Sequence, residues 1–387
     1  DEVFTPPLVA GRMLDLLPDD VWTNPELKWL DPVCKTGIFL REVASRLMDG
    51  LVPVIEDEEA RRLHIFENML YGIAITELTG HISRRSLYYS KSANGEYSIV
   101  KFSNEQGNVL QRRSEHTYNE GTPVTGPKCV ICGSSDALDA ANRSDMENYA
   151  YTFIHDEEVF DMKFDVIVGN PPYQLEGKNE NRDIPIYQHF VNKAMALEPK
   201  YLSFIIPARW YVGGMGLGEF RSSMLSDRRI RALVDFPNAA EVFPGVEIKG
   251  GVCYFLWDRD YDGMCEVSNV MSGETVMTAD RVLDAEDVFV RFNQAVSVLE
   301  KVRVRNEETL VGQVSSGVPF GVRTNFSDFK DEPFTDAVAL YARGRIGYVE
   351  EEKLSTNREW IPKWKVFISN AYGAGEGYPH QILGKPV

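Results

Sequence analysis

Cysteine is scarce: five residues in 387 cannot frame a fold of this size with disulfides. A reducing compartment follows. Long apolar runs are lacking as well, so no segment is suited to span a bilayer, and no secretory signal opens the chain. We therefore expect a cytoplasmic protein with no membrane partner. Basic residues are outnumbered, 41 Lys and Arg against 58 Asp and Glu, for a net charge of −17. That balance excludes a nonspecific nucleic-acid coat, which needs clustered cations to displace counterions. It leaves open a nucleic-acid enzyme whose cations line one cleft, because net charge does not report a local field. An initiator methionine is lacking too. The chain starts at Asp1 and stops at Val387 within sequence patterned like folded protein, as expected of a fragment with further activities outside it.

What is present, over residues 1–260, is an alternation of short apolar strands and amphipathic helices. This is the pattern of an α/β, doubly wound parallel sheet. Strands are expected at 27–30, 70–75, 164–168, 201–206, 230–236 and 251–257, with helices at 38–47 and 56–68. The polar stretch 111–148, punctuated by Gly121, Pro123, Gly126, Pro127 and Gly133, breaks the rhythm and reads as an insertion. After Asp258-Arg259-Asp260 the pieces become short and glycine-rich, which predicts a second, mixed α/β domain that begins near 260 to 300 and is assigned to 261–387.

The segment with the most chemistry is Phe164-Asp165-Val166-Ile167-Val168-Gly169-Asn170-Pro171-Pro172-Tyr173. A buried strand ends at Gly169, and two prolines then stiffen the turn by fixing φ and removing donors. The Asn170 side-chain oxygen and the Pro171 carbonyl are placed to accept from one exocyclic amine, and Tyr173 offers a face for stacking a base. Enzymes that modify bases draw them out of the helix stack. The bland alternative is a strand followed by a proline turn and an exposed tyrosine.

Asn170-Pro171-Pro172-Tyr173 resembles the catalytic tetrapeptide of DNA amino-methyltransferases, in the form found in adenine-N6 enzymes. Phe4-Thr5-Pro6-Pro7 resembles that family's amino-terminal cofactor motif. Asp31-Pro32-Val33-Cys34-Lys35-Thr36-Gly37 resembles its glycine-rich loop, with Lys35 where a glycine is usual. Cofactor motifs first, catalytic motif next and recognition region last is the gamma arrangement of type IIG and related restriction–modification methylases. The resemblance covers residues 1–258 well and the remainder loosely. It implies a Rossmann-like methyltransferase domain (1–260), the start of a target-recognition domain (261–387), S-adenosylmethionine as cofactor and double-stranded DNA as substrate. It also implies a bacterial or archaeal restriction–modification system, with a restriction endonuclease domain or subunit outside this chain.

The resemblance further implies an acid at the end of the second strand to hold the cofactor's ribose. Ala74 stands there, leaving Glu77 or Thr76 as substitutes. Asn108, in Gly107-Asn108-Val109, takes the place of the usual aspartate near the cofactor's adenine. On the residues alone, the loop from Asp31 to Gly37 opens a helix whose free amides suit a carboxylate ligand, and Asp31 reads equally as a turn residue.

Cys129-Val130-Ile131-Cys132-Gly133 has the spacing of a zinc knuckle. A structural zinc would need two more ligands, for which His116, His155 and Cys34 are candidates; reduced thiols in a turn are the alternative. Phe243, before Pro244-Gly245, offers a ring for the other face of the target base. Arg209, beside Trp210-Tyr211, suits a phosphate or a stacked base. Lys363-Trp364-Lys365 and Arg343-Gly344-Arg345 are further DNA-contact candidates. Asp235, Glu247 and Lys249 mimic a nuclease core, against which their place after the catalytic motif argues. Three functions remain open: adenine-N6 transfer, transfer to cytosine N4 or another amine, and a catalytically silent DNA-specificity module.

Overall fold

A computed structural model describes residues 3–122, 126–135, 151–156, 159–175, 184–286, 288–315, 317–323, 325–342, 345–368 and 381–384. Two compact units divide at 301/302. The first begins with helix α1 (Pro7–Leu14), strand β1 (Trp29–Cys34), α2 (Ile38–Gly50), α3 (Glu58–His64), β2 (Leu70–Ala74), α4 (Glu77–Tyr88) and β3 (Val109–Leu110). Next come α5 (Thr152–His155), β4 (Val166–Gly169), the short strands β5 (Gln174–Leu175) and β6 (Ile184–Pro185), and α6 (Tyr187–Ala196). Strands β7 (Tyr201–Pro207), β8 (Ile230–Phe236), β9 (Val252–Asp258), β10 (Cys265–Met271) and β11 (Glu274–Arg281) follow, with α7 (Gly218–Ser226) between the first two and α8 (Asn293–Val304) after the last.

Among the described residues, nine strands form one sheet in the order β11-β10-β8-β9-β7-β4-β1-β2-β3. From β3 across to β7 the neighbours are parallel, and β9 runs antiparallel between β7 and β8. The sheet is therefore a mixed α/β sheet with a parallel heart. Its central strands are buried along their whole length, as expected where both faces are covered. Alternate residues feed two cores: Trp29, Val166, Val168 and Ile205 enter one, Leu30, Ile167, Phe204 and Ile206 the other. Helix α2 covers the first face with Phe39, Leu40, Val43, Ala44 and Leu47, a single stripe at helical spacing.

Two expectations need correction. Strand β1 runs on through Pro32 to Cys34, where the register against β2 shifts between Asp31 and Cys34. A proline is tolerated there because the ladder is already irregular. The helix expected over 56–68 is α3 followed by one wide turn, Ile65–Met69. Of the range 260–300 in which the second domain is expected to begin, the far end marks the change of unit: β10 adds to the sheet parallel to β8, β11 pairs with β10, and the first unit continues to Lys301.

The second unit, Val302–Val387, contains the antiparallel pairs β12 (Ala337–Ala342) with β13 (Arg345–Glu350) and β14 (Lys365–Ile368) with β15 (Gln381–Gly384). Val349, Leu354 and Ile361 form its small core. Trp364 is exposed between Lys363 and Lys365. Arg343 and Gly344 lie outside the described residues, as does the side chain of Arg345.

Candidate active site

Sheet order reverses at β1, which has β2 on one side and β4 on the other. The carboxyl ends of strands flanking such a reversal are where open α/β sheets bind ligands. Both motif loops leave the sheet here, one from β1 and one from β4.

The first loop turns through Gly37, whose φ of +72° is left-handed. A Cβ there would also lie 3.1 Å from Ser83 Cα and 3.2 Å from Ser83 O, so α4 would have to give way by a few tenths of an ångström on top of the backbone strain. Ser83 Oγ donates to the Lys35 carbonyl at 3.2 Å and clamps the loop from the other side. Gly37 is also the N-cap of α2 and supplies no side-chain cap, which leaves the first helical amides for a ligand. Asp31 is buried beside them and accepts from the Val33 amide at 3.0 Å. Burial pushes its carboxyl up to about 7, against the opposing pull of the Val33 amide, the Cys34 thiol and Lys35.

The second loop places Asn170 across the same cleft. Its amide nitrogen donates to the Val3 carbonyl at 3.2 Å and to Thr5 Oγ1 at 3.0 Å. Those bonds fix the amide's orientation. Oδ1 is then left buried with no hydrogen-bond partner among the described residues. A buried acceptor left unmade is costly unless something else fills it. Gly169 permits this closeness: a Cβ on it would sit 3.1 Å from Asp31 Oδ1. Pro171 and Pro172 are buried, and the Tyr173 carbonyl accepts from the Ile186 amide at 3.1 Å. Tyr173 is half-buried and meets Phe243 edge-on, ring centres 6.3 Å apart and inclined by 63°. Burial and the nearby Cys253 thiol hold its phenol well above the usual value.

Thr5, Asp31, Gly37 and Asn170 thus line one narrow cleft together with Lys35 and Thr36. Lys35 takes the place of a loop glycine by folding back, its Nζ donating to the Val3 carbonyl at 3.2 Å. Neither this tether nor the Ser83 clamp was legible as a site feature. Ser83 did carry a signal, since Thr79, Gly80 and Ser83 form a small-residue stripe on the buried face of α4.

Other candidates stand elsewhere. Phe4 is about half exposed, Pro6 is the N-cap of α1, and Pro32 is buried within β1. The Thr76 hydroxyl is consumed by a capping box with Thr79, and Glu77 is exposed at the first position of α4. Asn108 uses its amide nitrogen on the carbonyls of Phe66 and Glu67, at 3.2 and 2.9 Å, closing the wide turn. Phe243 is buried, and Arg209 lies just past β7 with a hydrogen bond to Met215 Sδ at 3.0 Å. Asp235 is not part of a nuclease core, because its buried carboxylate is occupied by Arg291 through two 2.8 Å bonds. Cys129 and Cys132 gather with His116 and His155, and none of these lines the cleft. Cys34 does not join them; it packs at the β1–β2 junction and donates to the Asp31 carbonyl at 3.6 Å.

Residues 68–243 match the family described as Eco57I restriction-modification methylase. An "uncharacterized adenine-specific methylase" of Mycoplasma pneumoniae is 41% identical over 299 residues, 70% of this chain and 70% of that protein. Among solved structures, the ATP-dependent type ISP restriction-modification enzyme LlaBIII bound to DNA is 16% identical over 70% of this chain, with a TM-score of 0.44. The type I restriction enzyme EcoKI M protein is 15% identical over 69%, with a TM-score of 0.43. This chain spans 20% and 48% of those two chains.

Proposed function

The chain belongs to the adenine-specific methylases of the Eco57I restriction–modification family, and on that premise we propose that it methylates adenine N6 in double-stranded DNA from S-adenosylmethionine. The observation that carries the reading is the orphaned Oδ1 of Asn170, a buried acceptor aimed by two bonds on the opposite end of its own amide.

The cleft fits the proposed cofactor's amino-acid end. A buried carboxylate suits an ammonium group, and the uncapped start of α2 suits a carboxylate. When bound, S-adenosylmethionine supplies an electrophilic methyl group on a sulfonium. Asn170 Oδ1 and the Pro171 carbonyl accept from the adenine amine and hold its nitrogen lone pair toward the methyl group. With the methyl donor held in the cleft, these two acceptors would orient the amine nitrogen for transfer, and the amine's surplus proton would leave to water. The rigid proline loop contributes chiefly orientation. Tyr173 offers its ring to the extruded base, and Phe243, buried and edge-on to that ring, supports it from behind rather than facing the base. The exposed Phe4 and Glu77 are proposed to meet parts of the cofactor outside this cleft, with Pro6, Pro32 and Asn108 in supporting roles through their backbone and packing, and Arg209 to meet the DNA. Residues beyond 301 start the target-recognition unit, with Lys363, Trp364 and Lys365 as its contacts, and a restriction endonuclease acts as a separate domain or subunit. No helix of the described residues is long and apolar enough to cross a membrane, and a cytoplasmic enzyme fits that.

Incubation with DNA and labelled cofactor, followed by nucleoside mass spectrometry, is expected to yield N6-methyladenine. N4-methylcytosine alone would replace the reading, and cofactor binding without any methylated base would point to the silent module.

Asp31 makes cofactor affinity depend on pH. Its carboxyl, at about 7, is largely protonated at pH 6 and largely ionised at pH 7.5, and only the ionised form holds an ammonium group. Affinity is expected to rise about fivefold over that interval, allowing for an amino group that itself begins to deprotonate near 7.8. The ligand-free protein moves the other way. Because the folded value lies above the unfolded one, stability is full below 3.8 and falls as pH rises through about 7. Calorimetry on Asp31→Asn should lose the rise, leaving only the slight fall from the ligand's own amino group; an unchanged pH dependence would remove Asp31 from the site.

A further inference from the structure

We propose that His116, Cys129, Cys132 and His155 bind one structural zinc ion that staples the segment between β3 and β4 to the methylase core. Their ligating atoms all lie within 4.8 Å of one another, although they come from three separate stretches of chain. The knuckle is built to present both sulfurs inward: the Gly133 amide donates to the Cys129 carbonyl at 3.0 Å, the Cys129 amide to the Ser134 carbonyl at 2.7 Å, and Gly133 takes a φ of +71°. Cys129 also bridges to Tyr118, and the Val130 amide donates to Thr117 at 2.9 Å, which brings His116 alongside. The last ligand ends helix α5.

Distances match the chemistry. His155 Nε2 lies 3.6 Å from Cys129 Sγ, and His116 Nδ1 lies 3.5 Å from Cys132 Sγ. A tetrahedral zinc with bonds of about 2.3 Å to sulfur and about 2.0 Å to nitrogen sets sulfur and nitrogen about 3.5 Å apart. His155 Nδ1 lies 3.0 Å from the Tyr151 carbonyl. In the neutral ring that contact makes Nδ1 the donor and turns the Nε2 lone pair toward the sulfurs, the usual orienting partner of a metal-bound histidine. Two thiolates and two imidazoles in a closed, half-buried group select zinc over the oxygen-seeking cations.

The fold gives the ion work to do. Between 111 and 135 the described chain forms isolated bridges rather than strands, and its apolar packing on the core centres on Cys129, Cys132, Tyr118 and Ile131, the knuckle itself, while Val130 is exposed. Small segments of that kind are commonly held by metal. Helix α5, by contrast, is anchored: Phe153 and Tyr151 pack on Phe190 of α6, with ring centres 6.0 and 5.4 Å away. One ion joining His155 to the knuckle therefore ties the loose segment to the helix that follows the Asn170 loop. None of these ligands belongs to the transfer site, so the inference stands or falls separately from it.

Metal analysis of tag-free full-length protein, expressed with zinc in the medium, is expected to find about one zinc per chain after gel filtration. The ion should be released when a mercurial blocks the thiols. Cys129→Ser with Cys132→Ser should lower zinc below about a tenth per chain and expose 111–135 to protease, whereas Cys265→Ser should keep the ion. Should the double variant fail to fold, cobalt substitution of the unaltered protein reports the site directly, through thiolate charge-transfer bands and tetrahedral ligand-field bands. Metal-free protein whose Cys129 and Cys132 both react freely, or zinc that survives the double substitution, would overturn the proposal.

Discussion

Asn170→Ala is expected to lower the methyl-transfer rate at saturating cofactor and DNA by at least about 100-fold, the scale seen when one preorganised hydrogen-bonding group is removed from a reacting centre. The proposed acceptor, Oδ1, is the only polar atom of that side chain without a bond among the described residues, and alanine deletes it. The amide nitrogen does different work. It holds Val3 and Thr5, and Thr5 lines the cofactor cleft, so some loss of affinity comes with the substitution. Two neutral bonds of about 1 kcal/mol net each, partly retained through Lys35 on the same Val3 carbonyl, put that loss below about tenfold. The signature is therefore a large fall in rate with a small change in cofactor dissociation constant. Asn170→Asp separates the two ends of the amide. It keeps an acceptor but loses both donors and sets a carboxylate against the Val3 carbonyl, so affinity should suffer more than in the alanine variant. An alanine enzyme that methylates within a few-fold of the parent rate would end the assignment of Oδ1.

What sequence reveals here is the part of the site made by side chains in one run of chain. Asn170 through Tyr173 was legible because the strand, the glycine and the prolines are all encoded locally. The partners that aim Asn170 were not. Val3 acts through its backbone carbonyl, which any residue supplies, and Lys35 looked like a defect in a glycine loop until its Nζ was found on that carbonyl. Thr76 offered a hydroxyl for the ribose in sequence, but the same hydroxyl caps α4, and local hydrogen bonding prevailed. The Cys-x-x-Cys turn announced half of a metal group. Its other half needed the pairing of 117–119 with the knuckle and the placing of α5, both set by tertiary structure. Strand β8 was legible to the residue because apolar and aromatic residues, Ile230 and Ala232 through Val234 with Phe236, fill it between the charged Arg228-Arg229 and Pro237. Strand β1 was read as ending early because Pro32 ordinarily stops a ladder, and here it sits at a register shift.

A chain cut at the expected boundary of 260 is expected not to fold, whereas one ending at 301 should. The reason is Asp235, on β8, whose side chain is fully buried. Arg291 meets it with two 2.8 Å bonds and donates to the Gly250 carbonyl at 2.6 Å, and Tyr211 adds a third bond to the carboxylate at 3.1 Å. Gly251 leaves room for this, since a Cβ there would come within 2.7 Å of Arg291 Nη2. Removing residues beyond 260 therefore strands a buried carboxylate and also strips β10 from the edge of β8. Within the full chain, Arg291→Ala isolates the first of these losses. Breaking one side of a buried pair costs about 3–5 kcal/mol, and the lower end applies because Arg291 keeps some exposure and Tyr211 remains. Urea unfolding should show that fall, and Arg291→Lys should recover only part of it, because a point charge does not reproduce the two-pronged contact. Stability unchanged in Arg291→Ala, together with a soluble, cooperatively folded 1–260 fragment, would restore the earlier boundary and make the strands beyond it an appendage rather than part of the methylase sheet.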